Sequence, residues 1–223
     1  IRKYIFLFCY TGWDRMLYDY LKQNYALNEP ILVSDLHIDG VPMNRIRQQI
    51  SRLVESGRLK RFDTGIYYLP APGPFRSGSA PSIARILERK YLRDGGKACG
   101  YLTGVCFASR IGVTAQVPMA YELASNRATT EYRTAKLGLT KIILRKPRAE
   151  VNDSNARALQ LLDFLNEADV ISELSGASLS EKLLSYMRLC GLSFDDLRPY
   201  LRLYPDRIFR NMYEAGLLQG ISL

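Results

Sequence analysis

The sequence predicts an α+β protein built in successive parts, and three observations carry that reading. Hydrophobic residues make up 47% and charged residues 24% of 223 positions, an ordinary globular balance with room for one large domain or two small ones. Apolar residues recur at helical spacing up to about residue 56, then alternate after Gly57. A Pro/Gly/Ser-rich stretch, PAPGPFRSGSAPS at 70–82, separates this first part from a mixed strand-and-helix middle and a helical tail.

The first helix spans about 16–27, with Met16, Leu17, Tyr20, Leu21 and Tyr25 on one face, and it ends at Asn28-Glu29-Pro30. A short second helix is expected over 31–36, with Ile31, Leu32 and Leu36 inward. The third is the clearest. Pro42 opens it, Ile46, Ile50, Leu53 and Val54 form its apolar stripe, and Gly57 closes it. The opposite face carries Asn44, Gln48, Ser51, Arg52 and Glu55, flanked by Arg45 and Arg47. RLKRFDTGIYYL then reads as a β-hairpin around Asp63-Thr64-Gly65. Three short helices followed by a hairpin is the order of a winged helix-turn-helix, whose third helix enters the major groove while the hairpin lies along the backbone.

The residue chemistry fits that use. Arginine pairs with guanine edges, and Asn or Gln with adenine, so Asn44, Arg45, Gln48 and Arg52 are candidate base readers. Arg47 and Ser51 complete the helix surface, and Arg58, Lys60 and Arg61 are candidate phosphate contacts. From Met43 to Arg61 there are six basic residues and one acid, Glu55. A solvated helix displays the same residue types, and a winged helix can also serve protein contacts. Both readings stay open.

Lys and Arg total 31 against 22 Asp and Glu, a net charge of +9, which makes a polyanion the first partner to consider. The charge is uneven: residues 1–70 carry +3, 71–150 carry +9 and 151–223 carry −3. A single histidine, His37, argues against a Ser-His-Asp triad and a His-rich metal site, and no catalysis, metal or cofactor is expected. Cys9, Cys99, Cys106 and Cys190 are scattered without a C-x-x-C pair and read as reduced thiols of a cytoplasmic protein. There is no apolar run long enough to span a membrane as a helix, and no membrane partner is expected. Residues 1–15 imitate a signal-peptide start but lack its cleavage site, so Met16 is a plausible initiator and 1–15 a non-native extension.

In the middle, 82–92 reads as an amphipathic helix and 102–111 as a second one stopped by Gly112. MAYELAS, TTEYRTAKLG and TKIILRKP read as antiparallel strands, and 155–166 as a helix. The tail adds a helix opened by a Ser178/Glu181 capping box, with Leu179, Leu183, Leu184 and Met187 inward and Gly191 as its stop. A last helix follows Pro205-Asp206 with Ile208, Phe209, Met212 and Tyr213 inward. The domains are therefore 1–70, a linker 71–82, an α/β domain 83–167 and a helical tail 168–223. Asp94-Gly95-Gly96-Lys97 lacks the following Ser or Thr of a phosphate loop and reads as a turn. Gly78-Ser79 has no alternating acidic pair behind it, and Asp195-Asp196 is adjacent, so a nucleotidyltransferase site is not expected.

The wing RLKRFDTGIYYLP, the series Thr103-Gly104…Gly112-Val113…Gln116-Val117-Pro118 and the strand ending IILRKP resemble the DUF6088 group and, through it, the AbiE-type antitoxins of type IV toxin–antitoxin pairs. The resemblance covers roughly 16–166. It implies a DNA-binding N-terminal domain that represses its own operon, an antitoxin-like α/β domain, and a cognate nucleotidyltransferase-like toxin in abortive infection. Double-stranded DNA from the protein's own promoter repeats, the toxin, and a second copy meeting on DNA are the expected partners. No motif assigns antitoxicity to individual residues; Tyr101, Thr103 and Gln116 are as suited to packing or capping.

Overall fold

The computed structural model describes residues 16–72 and 80–218; the expectations about 1–15, Cys9 and Gly78-Ser79 lie outside them, as does most of the linker. The fold is mixed α+β. It divides into two compact units, the first closing at Arg89 and the second starting at Lys90. Among the described residues no helix is long and apolar enough to cross a membrane.

In the first unit, α1 covers 16–24 and places Leu17 and Leu21 in the core. Asn28 takes a left-handed conformation (φ 58°), donates its N–H to Leu69 O (2.8 Å) and accepts from Ala71 N (3.2 Å). Residues 31–36 are not a helix. Ile31–Leu32 forms strand β1 and Val33–Asp35 a single 3-10 turn. The apolar pair that suggested a helix face instead faces the core while its backbone joins Tyr67 and Ile66, because a two-residue strand has no period to read. Helix α2 is Met43–Glu55; β2 (Lys60–Asp63) and β3 (Ile66–Tyr68) form the hairpin, and β3 is the middle strand of an antiparallel β1-β3-β2 sheet. Leu17, Leu21, Leu36, Ile46, Ile50, Leu53 and Leu59 share one core. Helix α3 (Ile83–Leu87) runs on into a π-helical turn. Arg89 reaches back within this unit to Glu29 (3.1 Å) and Asp35 (3.3 Å) and lies 5.1 Å over the Tyr25 ring.

The second unit begins with a small hairpin, β4 (Arg93–Asp94) and β5 (Lys97–Ala98), turned by Gly95-Gly96. Strand β6 (Gly100–Leu102) precedes helix α4 (Gly104–Arg110), so residue 102 is strand rather than helix. Strands β7 (Tyr121–Ser125), β8 (Tyr132–Leu137) and β9 (Thr140–Arg145) complete a sheet of order β6-β7-β9-β8. All three segments expected as strands are present, but β7 pairs with β9 in parallel: β9 folds back along β8 and slots between it and β7. Helix α5 (Ala156–Ile171) runs five residues beyond the expected end and is buried nearly all round, as a helix packed on two sides must be. Leu159 meets Tyr101 and Ala124 of the sheet. Leu161, Phe164 and Leu165 share a core with α6 (Gly176–Cys190), α7 (Phe194–Leu197) and α8 (Arg207–Glu214).

Two tail expectations change. Helix α6 starts at Gly176, so Ser178 lies inside its first turn and no Ser178/Glu181 box opens it; the capping box is Ser193 with Asp196 at α7. Leu184 is 40%, Phe209 45% and Tyr213 72% exposed, because each lies one position off the stripe that the neighbouring helices cover. Asp195-Asp196 is helix-start chemistry, with Asp196 accepting from Ser193 N at 2.7 Å.

Candidate nucleic-acid interface

Helix α2 is placed by its own amphipathicity. Ile46, Ile50 and Leu53 are 1–2% exposed and face the core, which turns the polar face outward. Pro42 caps its start in an extended conformation, where its missing N–H costs nothing. Gly57 (φ 73°) ends it in the left-handed conformation that favours glycine. Asn44, Arg45, Arg47, Gln48 and Ser51 are exposed and Arg52 is half-exposed. The Asn44 Oδ1 accepts from Arg45 N (2.8 Å), and the Ser51 hydroxyl donates to Glu55 (3.3 Å).

On the hairpin, Lys60 pairs with Tyr68 and Arg61 with Tyr67, and a bulge follows before Asp63. Arg61 is exposed but folded onto the turn: its guanidinium donates to Thr64 Oγ1 (3.0 Å) and Asp63 O (3.4 Å). Arg58 is exposed and stacks 5.4 Å over the Tyr18 ring, which also carries Lys22 at 5.6 Å. None of the nine candidate residues is buried. Together they present guanidinium, amide and hydroxyl groups from one helix and one adjoining hairpin. His37 is exposed, its ring 3.3 Å from Asp35 O, and is no part of this surface.

Sequence reading missed two contributors. Lys22 sits four residues after Tyr18 on α1, a spacing that could have paired them. Gln49 is 4% exposed on the apolar side of α2, a polar residue that periodicity alone assigns to neither face.

The second unit holds a polar constellation that no contiguous motif announces. Arg145, ending β9, donates to Glu167 (2.8 Å) and Thr103 Oγ1 (3.2 Å) and lies 3.8 Å from Glu122. Tyr101 and Tyr204 both donate to Asp163, at 2.9 and 2.8 Å. Tyr101 and Thr103 therefore pack and hold, while the Gln116 N–H bonds Thr114 Oγ1. Burial pushes the Asp163 carboxyl above the ordinary range although both phenols and Arg145 pull it down, and burial raises Glu122 likewise against Arg145. Among the described residues no cluster of three His, Cys, Asp or Glu could hold a metal, and Cys99, Cys106 and Cys190 are free thiols.

A raised carboxyl binds protons in the native state that the unfolded chain has released. Its contribution to stability is present below the unfolded value, near 3.9, and is lost as pH rises through the higher native one. Urea unfolding of Asp163→Asn and the parent from about pH 4 to 7 should show the difference moving in the variant's favour as pH climbs. A difference flat across that window sinks the assignment.

The family model DUF6088, described as a family of unknown function, matches residues 22–163, from within α1 to within α5. No curated protein matches the chain. The matched span takes in α2, its hairpin and the whole four-stranded sheet, and on that match the chain belongs to the DUF6088 family.

Proposed function

We propose that the first unit is a winged helix-turn-helix that binds duplex DNA, and that the protein is a cytoplasmic autorepressor and antitoxin of an AbiE-like type IV operon, without catalytic activity of its own. The observation that supports it most is the disposition of α2. Its apolar stripe is spent on the core, and Asn44, Arg45, Arg47, Gln48 and Ser51 stand in solvent beside a basic hairpin. Base readout falls to Asn44, Arg45, Gln48 and Arg52, and backbone grip to Arg58, Lys60 and Arg61. Arg58, already stacked on Tyr18, gives up less rotamer freedom on meeting a phosphate. Such a reader covers a short half-site, so two copies per operator are expected.

Retardation of the DNA upstream of the protein's own gene tests this. A log–log salt slope of roughly −4 to −7 corresponds to about five to eight neutralised phosphates. Arg52→Ala should weaken the specific site by about 1–3 kcal/mol and leave random DNA nearly unchanged. Equal weakening on both makes Arg52 a phosphate anchor and overturns its base-reading role; no retardation overturns the repressor reading.

A second reading, direct neutralisation of the nucleotidyltransferase-type toxin by binding, is favoured by one observation. The second unit leaves Val117, Met119 and Leu139 in solvent.

A further inference from the structure

The four-stranded sheet ends on two unequal edges. Strand β6 is three buried residues, whereas β8 shows four of its six residues to solvent, with Tyr132 at 59%. Among the described residues no strand lies on the outer side of β8. The hairpin register fixes what that side offers. Lys146 N donates to Glu131 O (3.2 Å), so residues 131 and 146 form a hydrogen-bonded pair. Alternation from there turns the N–H and C=O of Tyr132, Thr134 and Lys136 away from β9. The Thr130 hydroxyl lies 3.4 Å from the Tyr132 carbonyl, which keeps a second lone pair.

A row of this kind is a template for another strand, and proteins blunt it with proline, a bulge or charge. Strand β8 has no proline, and its register with β9 runs unbroken from Tyr132 to Leu137. Its cations, Arg133 and Lys136, are three residues apart and therefore sit on opposite faces. Laid antiparallel on itself about Thr134, the strand sets Tyr132 against Lys136 and Thr134 against Thr134. On the other face Arg133 meets Ala135. No cation opposes a cation, and both the threonine pair and the tyrosine–lysine pairs are favourable neighbours. A slip in either direction leaves at least one of the three outward residues facing beyond the strand. The slip that centres on Lys136 puts it against its own copy. Lys136 also gains a neighbour it lacks, because within the hairpin it stands opposite Lys141, both exposed, an unfavourable apposition of like charges.

We propose that β8 is a self-association edge, at which two copies pair their β8 strands antiparallel about Thr134 and join their four-stranded sheets into one continuous sheet. The occupant is a second copy because the row Tyr-Thr-Lys is complementary to its own reverse. An unrelated strand would have to supply an aromatic, a small hydroxyl and a cation in that same order. The contact goes beyond the two copies per operator expected above, since it needs no DNA.

The test is sedimentation of the full chain, without DNA, across tens to hundreds of micromolar, because one strand pair is a small interface and gives a weak dimer. The parent should pass from monomer to dimer as concentration rises. Thr134→Pro removes an N–H that β9 does not use, so it should stay monomeric throughout and melt near the parental temperature. Tyr132→Glu sets a carboxylate against Lys136 of the second copy, and Tyr132→Lys a second cation, each twice by symmetry. The glutamate dimer should be at least about tenfold tighter than the lysine dimer. The same two substitutions at Tyr213, 72% exposed on α8, carry the same change of net charge and should give equal affinities. A parent that stays monomeric overturns the proposal and leaves the edge to a strand of another protein. A dimer that survives Thr134→Pro at unchanged affinity overturns it too. If the proline variant loses its fold, the Tyr132 variants decide alone, and equal affinities for the two overturn it. Operator retardation decides the repressor reading separately.

Discussion

Arg145→Ala is expected to destabilise the second unit by about 2–4 kcal/mol, read as a lower urea midpoint at unchanged slope. Removing one partner of a fully buried pair costs roughly 3–5 kcal/mol, because the remaining charge is stranded. Here Arg145, Glu122 and Glu167 each keep about a quarter of their side-chain surface in water, which lowers the figure. The loss is not one contact. Glu167 loses its 2.8 Å donor, Glu122 its neighbouring positive charge, and Thr103, between β6 and α4, the donor that ties it to the end of β9. A loss below about 1 kcal/mol, the range of a surface ion pair, would mean that this network contributes nothing beyond solvated charges.

Phe164→Ala should cost more, about 3–5 kcal/mol. Its side chain is 0% exposed on α5, edge-on to Phe107 at 6.0 Å, and Phe107 in turn meets Tyr186 at 5.0 Å. Truncation leaves a cavity among α4, α5 and α6 that rigid helices cannot close. Phe209→Ala, at a position 45% exposed, provides the contrast and should change stability by less than about 1 kcal/mol. Similar midpoints for the two variants would show that Phe164 does not hold the core.

Elements with a long period or a strong stop were legible in the sequence. Helix α2 carries both, an apolar stripe over thirteen residues and Gly57 at its end, and of its outward residues all but the half-exposed Arg52 stand fully in solvent. The strands β7, β8 and β9 announced themselves by alternation and by the turn at Gly138. What escaped was whatever depends on partners distant in sequence. Ile31–Leu32 is too short to have a period and becomes a strand only because β3 offers it hydrogen bonds. The parallel pairing of β7 with β9 is a choice of neighbour, which alternation does not encode. Ser178 and Glu181 had capping-box spacing inside a helix that had already begun, since Ser175, where the chain is still extended, starts it earlier. The polar constellation around Arg145 and Asp163 draws on residues from 101 to 204, each unremarkable in its own segment.

Arg89 changes where the first unit of the chain can be cut. Composition places the end of that part near residue 70, yet Arg89 binds Glu29 and Asp35 and covers Tyr25. A recombinant fragment that stops after the hairpin takes the guanidinium away from two carboxylates and bares one aromatic face, so a first unit that behaves as it does in the parent has to be cloned through residue 89.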